Sequence, residues 1–179
     1  TNSDWSSDVC SSDLFNSRSA SVGESLIALK IQECEEKGYS FEEVIEHVEA
    51  YIEEQHTYFV LENLDTLRKN GRLTGIKSLM ASALNIKPVM GSTPEGTICQ
   101  LGQARGVKKA IAKMAEHIVA DGKNTENKVL AIAHCNCPER AREIERMILD
   151  KIKVKDSFIV ETGGISTMYA NDGGIIVVL

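Results

Sequence analysis

Arg72 is the side chain whose type and setting best suit chemistry on an anion. It follows Gly71 directly in Asn70-Gly71-Arg72-Leu73, where the glycine can take the left-handed conformation that ends a helix. A guanidinium at such an end stands at a domain edge or cleft, and its planar fork of five donors matches a carboxylate or a phosphate. An ion pair with Asp65 or Glu62 would give the same side chain a purely structural use, and the sequence leaves both readings open. The histidines and cysteines are not arranged for catalysis. His47 and His56 stand without the serine, cysteine or carboxylate of a triad, in a glutamate-rich segment, and read as surface residues. His134-Cys135-Asn136-Cys137 has the look of a metal corner, but paired zinc ligands want two or more intervening residues and a second cluster elsewhere in the chain. The thiols therefore read as residues at a strand end and near a helix start, and neither a metal nor a cofactor is implied. Gly102-Gln103-Ala104-Arg105-Gly106 is neither the dinucleotide glycine pattern nor a phosphate loop with its lysine.

The elements that must position Arg72 lie in residues 58–105. An apolar run over 58–61 leads into a short helical segment over 62–70, which Gly71 ends. Residues 76–84 have helical spacing. Residues 86–90 and 97–101 read as two strands joined by Ser92-Thr93-Pro94-Glu95-Gly96, a turn with Pro and Gly in favourable places. Upstream, Ser19 or Ser21 is placed to cap a helix whose apolar side is Leu26, Ile27, Leu29, Ile31 and Cys34 and which ends at Gly38. Ser40-Phe41-Glu42-Glu43 is a capping box, followed by Val44, Ile45, Val48, Tyr51 and Ile52 at helical spacing. Downstream, an amphipathic helix spans 106–121, and the unbroken apolar run 129–133 is typical of a strand covered on both faces. Pro138 opens a further helix, where its missing amide costs nothing. Strands over 158–160 and 174–178 are separated by the glycine-rich loop 163–169. Strands near 58, 86, 97, 129, 158 and 175, alternating with helices, predict an α/β (α+β) fold: a mixed sheet with flanking helices.

Bulk properties narrow the function classes. With 179 residues, 42% of them hydrophobic and 26% charged, the chain has the composition of a globular protein with a real core. A net charge of −6 and the lack of a basic stripe disfavour nucleic acid as a partner. No window approaches the ~20 apolar residues of a membrane span, and no secretory leader is legible, so a cytoplasmic location without stable membrane insertion is expected. Five irregularly spaced cysteines make no disulfide framework. Residues 1–14 lack an apolar period and are rich in serine and aspartate; they resemble the translation of a sequencing adapter joined to a truncated gene, with a disordered tail as the alternative.

The succession N-G-R-L, N-I-K-P-V, P-E-G and Q-A-R-G-V-K-K-A resembles the DegV family of bacterial fatty-acid-binding proteins, over about Phe15 to Leu179. F-N-S-R-S-A-S-V-G-E is similar to the family's D-S-x-x-x-S-x-G stretch, with Asn16 where the acid is usual. The resemblance implies that residues 58–179 form a C-terminal-type DegV domain and residues 15–57 a helical remnant of the first α/β domain. It implies binding of a long-chain fatty acid and presentation of its carboxylate to a fatty acid kinase, by a carrier that is not itself an enzyme. In the family, serine and threonine hydroxyls of an N-terminal part hold the carboxylate, and that part is not in this chain; weak or no lipid binding by these 179 residues alone is expected. Leu79, Met80 and Leu84 would then contribute to the apolar tunnel, although each also suits plain core. Arg72 becomes a cleft or partner-facing residue rather than the sole anchor, and Arg105 a contact for a partner or an anion or else merely a helix start. Ser166 and Thr167 lie near the place where many members carry a histidine in H-x-G-P-G; this chain reads Y-A-N-D-G-G there, so no role can rest on that histidine, although Asn171 and Asp172 remain able to order the loop.

Two other readings compete. One is a small-molecule enzyme related to phosphotransfer, of similar fold, with Arg72 and Arg105 as anion clamps. The other is a scaffold whose acidic first helices, carrying Glu46, Glu49 and Glu53, dock a partner.

Overall fold

A computed structural model describes residues 14–73 and 85–179 of the chain. Residues 74–84, with the helical spacing over 76–84 and the candidate tunnel residues Leu79, Met80 and Leu84, lie outside the described residues, as do residues 1–13.

Two helices open the fold, α1 (Val22–Glu36) and α2 (Phe41–Glu54). The α2 start forms as its sequence dictates: Glu43 N donates to the Ser40 hydroxyl while the Glu43 carboxylate accepts from Ser40 N. The expected serine cap on α1 does not form. Ser21 sits at φ 57°, with its hydroxyl unused for capping, and the Ser19 hydroxyl is bound instead to that of Thr57 at 2.6 Å. Leu26, Ile27 and Cys34 are buried as the spacing predicts, but Leu29 lies on the outer side of the helix, 48% exposed.

The order continues β1 (Thr57–Val60), α3 (Asp65–Lys69), β2 (Ile86–Ser92), β3 (Ile98–Arg105), α4 (Val107–Asp121), β4 (Val129–His134), α5 (Pro138–Leu149), β5 (Asp156–Glu161), α6 (Gly164–Ala170) and β6 (Ile175–Val178). The six strands form one mixed sheet in the order β3-β2-β1-β6-β4-β5, antiparallel throughout except for the parallel β4–β5 pair. All six expected strands are present. β3 runs on to Arg105, so this residue ends a strand rather than starting α4, which begins after Gly106. The stretch 163–169, expected as a loop, carries α6. Its leading Gly164 is a poor helix former, and Gly163 stands before it at the N-cap, yet the turn is held from outside. The Thr167 hydroxyl donates to the Thr162 carbonyl at 2.9 Å, and Ala170 is fully buried.

Strand alternation divides the core between the two faces of the sheet. Tyr58, Val60, Val89, Leu130, Ile132 and Val177 point to one face, where α4 and α5 cover them with Ile111, Met114, Ile118, Ile144 and Ile148. Ala131, Ala133 and Val178 point to the other, where α1 packs with Val22 and Leu26; α2 lies behind α1 through Ile27, Val48 and Ile52. β4 is thus buried on both sides, as its unbroken apolar run requires. On this second face α1 covers β4 and β6. The neighbouring surface over β1 and β2 is flanked by the short α3 and α6, and here the molecule is hollow.

Candidate functional site

The hollow is a cavity of about 780 Å³, within the range of ~300–1,000 Å³ usual for small-molecule sites. Its floor is apolar because β1 and β6 turn every second residue to this face: Phe59 and Leu61 from β1 and its end, and Ile176 from β6. Its walls are Leu67 after the first turn of α3, Ile98 at the start of β3, and Ile165, Tyr169 and Ala170 of α6. Phe59, Leu61, Leu67 and Ala170 belong to one packed cluster with Met90 and Cys135, which fixes the floor against both short helices.

Polar groups gather at two places on the rim. Near the start of β1 stand Ser19, Ser21, Thr57, Ser92 and Thr97. The Ser19 and Thr57 hydroxyls are paired, and Thr57 N donates to the Ser92 hydroxyl at 3.4 Å. Arg18 also lines this part, but its guanidinium is engaged by Glu53 at 2.9 Å and by the Pro94 carbonyl. Beyond the other end of β1, roughly 13 Å further along the strand at ~3.3 Å per residue, stand Arg72 and Ser166.

Arg72 is therefore on the cavity. Gly71 precedes it at φ 69°, the left-handed geometry expected at the end of α3, and Arg72 N donates to the Leu67 carbonyl. Among the described residues, the two acids that the sequence offered as its partners are bound elsewhere: Asp65 by Arg68, and Glu62 by Lys87 at 2.8 Å and Arg140 at 3.0 Å. Ser166 is also on the cavity, whereas Thr167, one residue on, turns its hydroxyl to Thr162. Arg105 is exposed at the end of the edge strand β3, opposite Ile86, and is not among the residues lining the cavity. The structure thus places Arg72 and Ser166 each on the cavity and leaves Arg105 and the Thr167 hydroxyl outside it. Asn171 and Asp172 do order the loop after α6: Asn171 Nδ2 donates to the Tyr169 carbonyl, and Asp172 accepts from Asn136 Nδ2 at 2.9 Å.

Several lining residues went unmarked in the sequence. Phe59 and Leu61 were legible as a period-two face of an apolar run, but nothing local says that this face fronts a cavity. Ser92, Thr57 and Thr97 carry no motif at all. In the cysteine corner, Cys137 N donates to His134 Nδ1 at 3.3 Å, and Cys137 Sγ to the Gly174 carbonyl. Burial pushes the Cys137 thiol up, with Arg140 acting the other way.

Comparison with known proteins places this architecture. The family model described as "Uncharacterised protein, DegV family" matches residues 8–179. A DegV domain-containing protein of Streptococcus pyogenes serotype M1 is 35% identical over 167 residues, covering 91% of this chain and 58% of its own length. Among solved structures, a DegV family protein from Ruminococcus gnavus with vaccenic acid is 70% identical, with a TM-score of 0.91 over 93% of this chain and 59% of its own. The fatty acid kinase B3 protein of Streptococcus pneumoniae, loaded with linoleic acid, is 31% identical, with a TM-score of 0.80 over 93% of this chain and 58% of its own. The chain thus spans rather more than half the length of these relatives, and on its match and its fold it belongs to the DegV family.

Proposed function

We propose that this chain supplies the floor and part of the wall of a long-chain fatty-acid site, in a carrier that presents the acid's carboxylate to a fatty acid kinase and performs no catalysis itself. The observation that carries this reading is the cavity of about 780 Å³ over β1, with an apolar floor and an arginine on its rim. An acyl chain needs such a floor because each buried methylene contributes ~0.8 kcal/mol. Its carboxylate needs a partner because an unpaired buried charge is costly. Arg72 contributes to that end an exposed guanidinium that no described carboxylate engages, beside the hydroxyls expected from the remaining part of the carrier. The vaccenic and linoleic acids of the two solved relatives are ligands of the size and chemistry that the cavity suits.

In this reading Ser166 shares the carboxylate end with Arg72, Arg105 serves a partner contact at the sheet edge, and Thr167 acts only by shaping α6. Residues 58–179 are the C-terminal-type domain and residues 15–57 the part of the first domain that reaches it; the relatives' further length supplies the remaining wall. Alone, this chain then binds lipid weakly or not at all. Among the described residues no helix is long and apolar enough to cross a membrane; we assign the carrier to the cytoplasm, where its kinase would meet it. Native mass spectrometry of the protein expressed from its complete gene tests the reading. It is expected to show a co-purified fatty acid in about one-to-one ratio; repeated recovery of empty protein from a lipid-containing host would overturn it.

A further inference from the structure

Two walls of the cavity are helices too short to stand alone: α3 has five residues and α6 seven. Isolated helices below ~12 residues are marginal in water, so their placement must come from contacts outside them. Both are tied at the same point. Glu62, two residues beyond β1 and three before α3, accepts from Lys87 Nζ of β2 through its carboxylate at 2.8 Å and its carbonyl at 2.7 Å. The same carboxylate accepts from Arg140 Nη2 of α5 at 3.0 Å. The second arm of the Arg140 fork donates to the carbonyl of Gly173, in the loop that leaves α6. Gly173 sits at φ 81°, and a Cβ there would stand 2.9 Å from both Arg140 Nη1 and Glu62 Cγ, so the loop is pressed against the ion pair. Gly173 N donates to the Cys135 carbonyl and Asn136 holds Asp172, which fastens the loop to the end of β4. These charges are largely sheltered: the side chains of Lys87, Arg140 and Glu62 are 19%, 23% and 34% exposed.

We infer that Glu62, Lys87 and Arg140 form a clasp that positions α3 and α6 as walls of one cavity and thereby sets how long an acyl chain stays bound. This rests on the fatty-acid reading above. The clasp holds both short helices through one carboxylate: α3 by the residue that precedes it, α6 by the loop that follows it. Losing the Glu62 charge leaves two sheltered cations without their anion, a larger perturbation than losing a surface pair. It frees α3 and α6 together.

Glu62→Gln and Arg140→Lys test this in the protein from the complete gene. Glutamine keeps the shape and removes the charge; lysine keeps the charge and lacks the fork that serves Glu62 and Gly173 at once. Amide hydrogen exchange is expected to quicken about tenfold in α3, α6 and Gly173–Gly174 in both variants, the size of one lost charged hydrogen bond, while α1 and α4 keep wild-type rates. Vaccenic acid is expected to dissociate about tenfold faster with its association rate unchanged. Wild-type exchange in α3 and α6, or an equal acceleration in α1 and α4 that marks a role in overall stability alone, would overturn the clasp. So would unchanged release of vaccenic acid by variants of a protein that binds it. A wild-type protein that takes up no vaccenic acid would overturn the fatty-acid reading and the residence-time claim with it, and exchange alone would then decide whether the walls are clasped.

Discussion

At Arg72 the guanidinium is exposed beside an apolar cavity, while Asp65 and Glu62 are held by other cations. That arrangement costs little stability, because among the described residues no desolvated pair involves it, and its guanidinium has a planar fork of donors suited to a ligand carboxylate. Arg72→Ala is therefore expected to lower the affinity for vaccenic acid about ten- to a hundredfold, since hydrogen bonds to charged groups contribute ~1.5–3 kcal/mol. The thermal midpoint should not move, and titration beside a melting curve checks both. A stabilisation by inorganic phosphate that Arg72→Ala removes, without any effect of the acid, would favour the anion-clamp enzyme instead. Sequence reasoning reached Arg72 because a glycine-ended helix fixes where the next side chain stands. It did not reach Thr57, Ser92 or Thr97, whose place on the cavity depends on strand pairing across distant segments.

Among the elements, those with self-contained instructions formed as read. The Ser40–Glu43 capping box, Pro138 at the first position of α5 and the doubly buried β4 all need only local sequence and pattern. The misreadings came where tertiary contacts outweigh local preference. α6 is a helix despite Gly163 and Gly164, because Thr162 and the buried Ala170 hold it, and Ser21 forgoes its cap because the chain there bends to bring Ser19 to Thr57. Helix α1 also carries a pH-sensitive tie. The Lys37 ammonium bonded to Glu33, with Lys30 and Lys155 nearby, outweighs desolvation and holds the Glu33 carboxyl at about 2, against an ordinary 4.5. A carboxyl whose folded value is depressed stabilises fully above its unfolded value, and that contribution fades as pH falls from about 4.5 towards 2. Urea unfolding across this window should show the wild-type midpoint falling more than that of Glu33→Gln; equal falls would refute the tie. The partial exposure of Glu33 makes the difference modest.

For the molecule as a whole, the mixed sheet was legible from six strands alternating with helices, but its order was not. Nothing in residues 175–178 says that the last strand inserts between β1 and β4, yet this insertion sets Ile176 beside Phe59 on the cavity floor. The cavity is thus a property of the assembled sheet, made from segments more than a hundred residues apart in the chain. The most direct measurement of the central claim is photo-crosslinking of the protein from the complete gene with a long-chain fatty acid carrying a diazirine on its tail, mapped by peptide mass spectrometry. Adducts are predicted on the peptides containing Phe59, Leu61 and Ile176, competed away by unlabelled vaccenic acid. Adducts confined to the α4 and α5 face, or insensitive to the competitor, would contradict an acyl chain lying over β1.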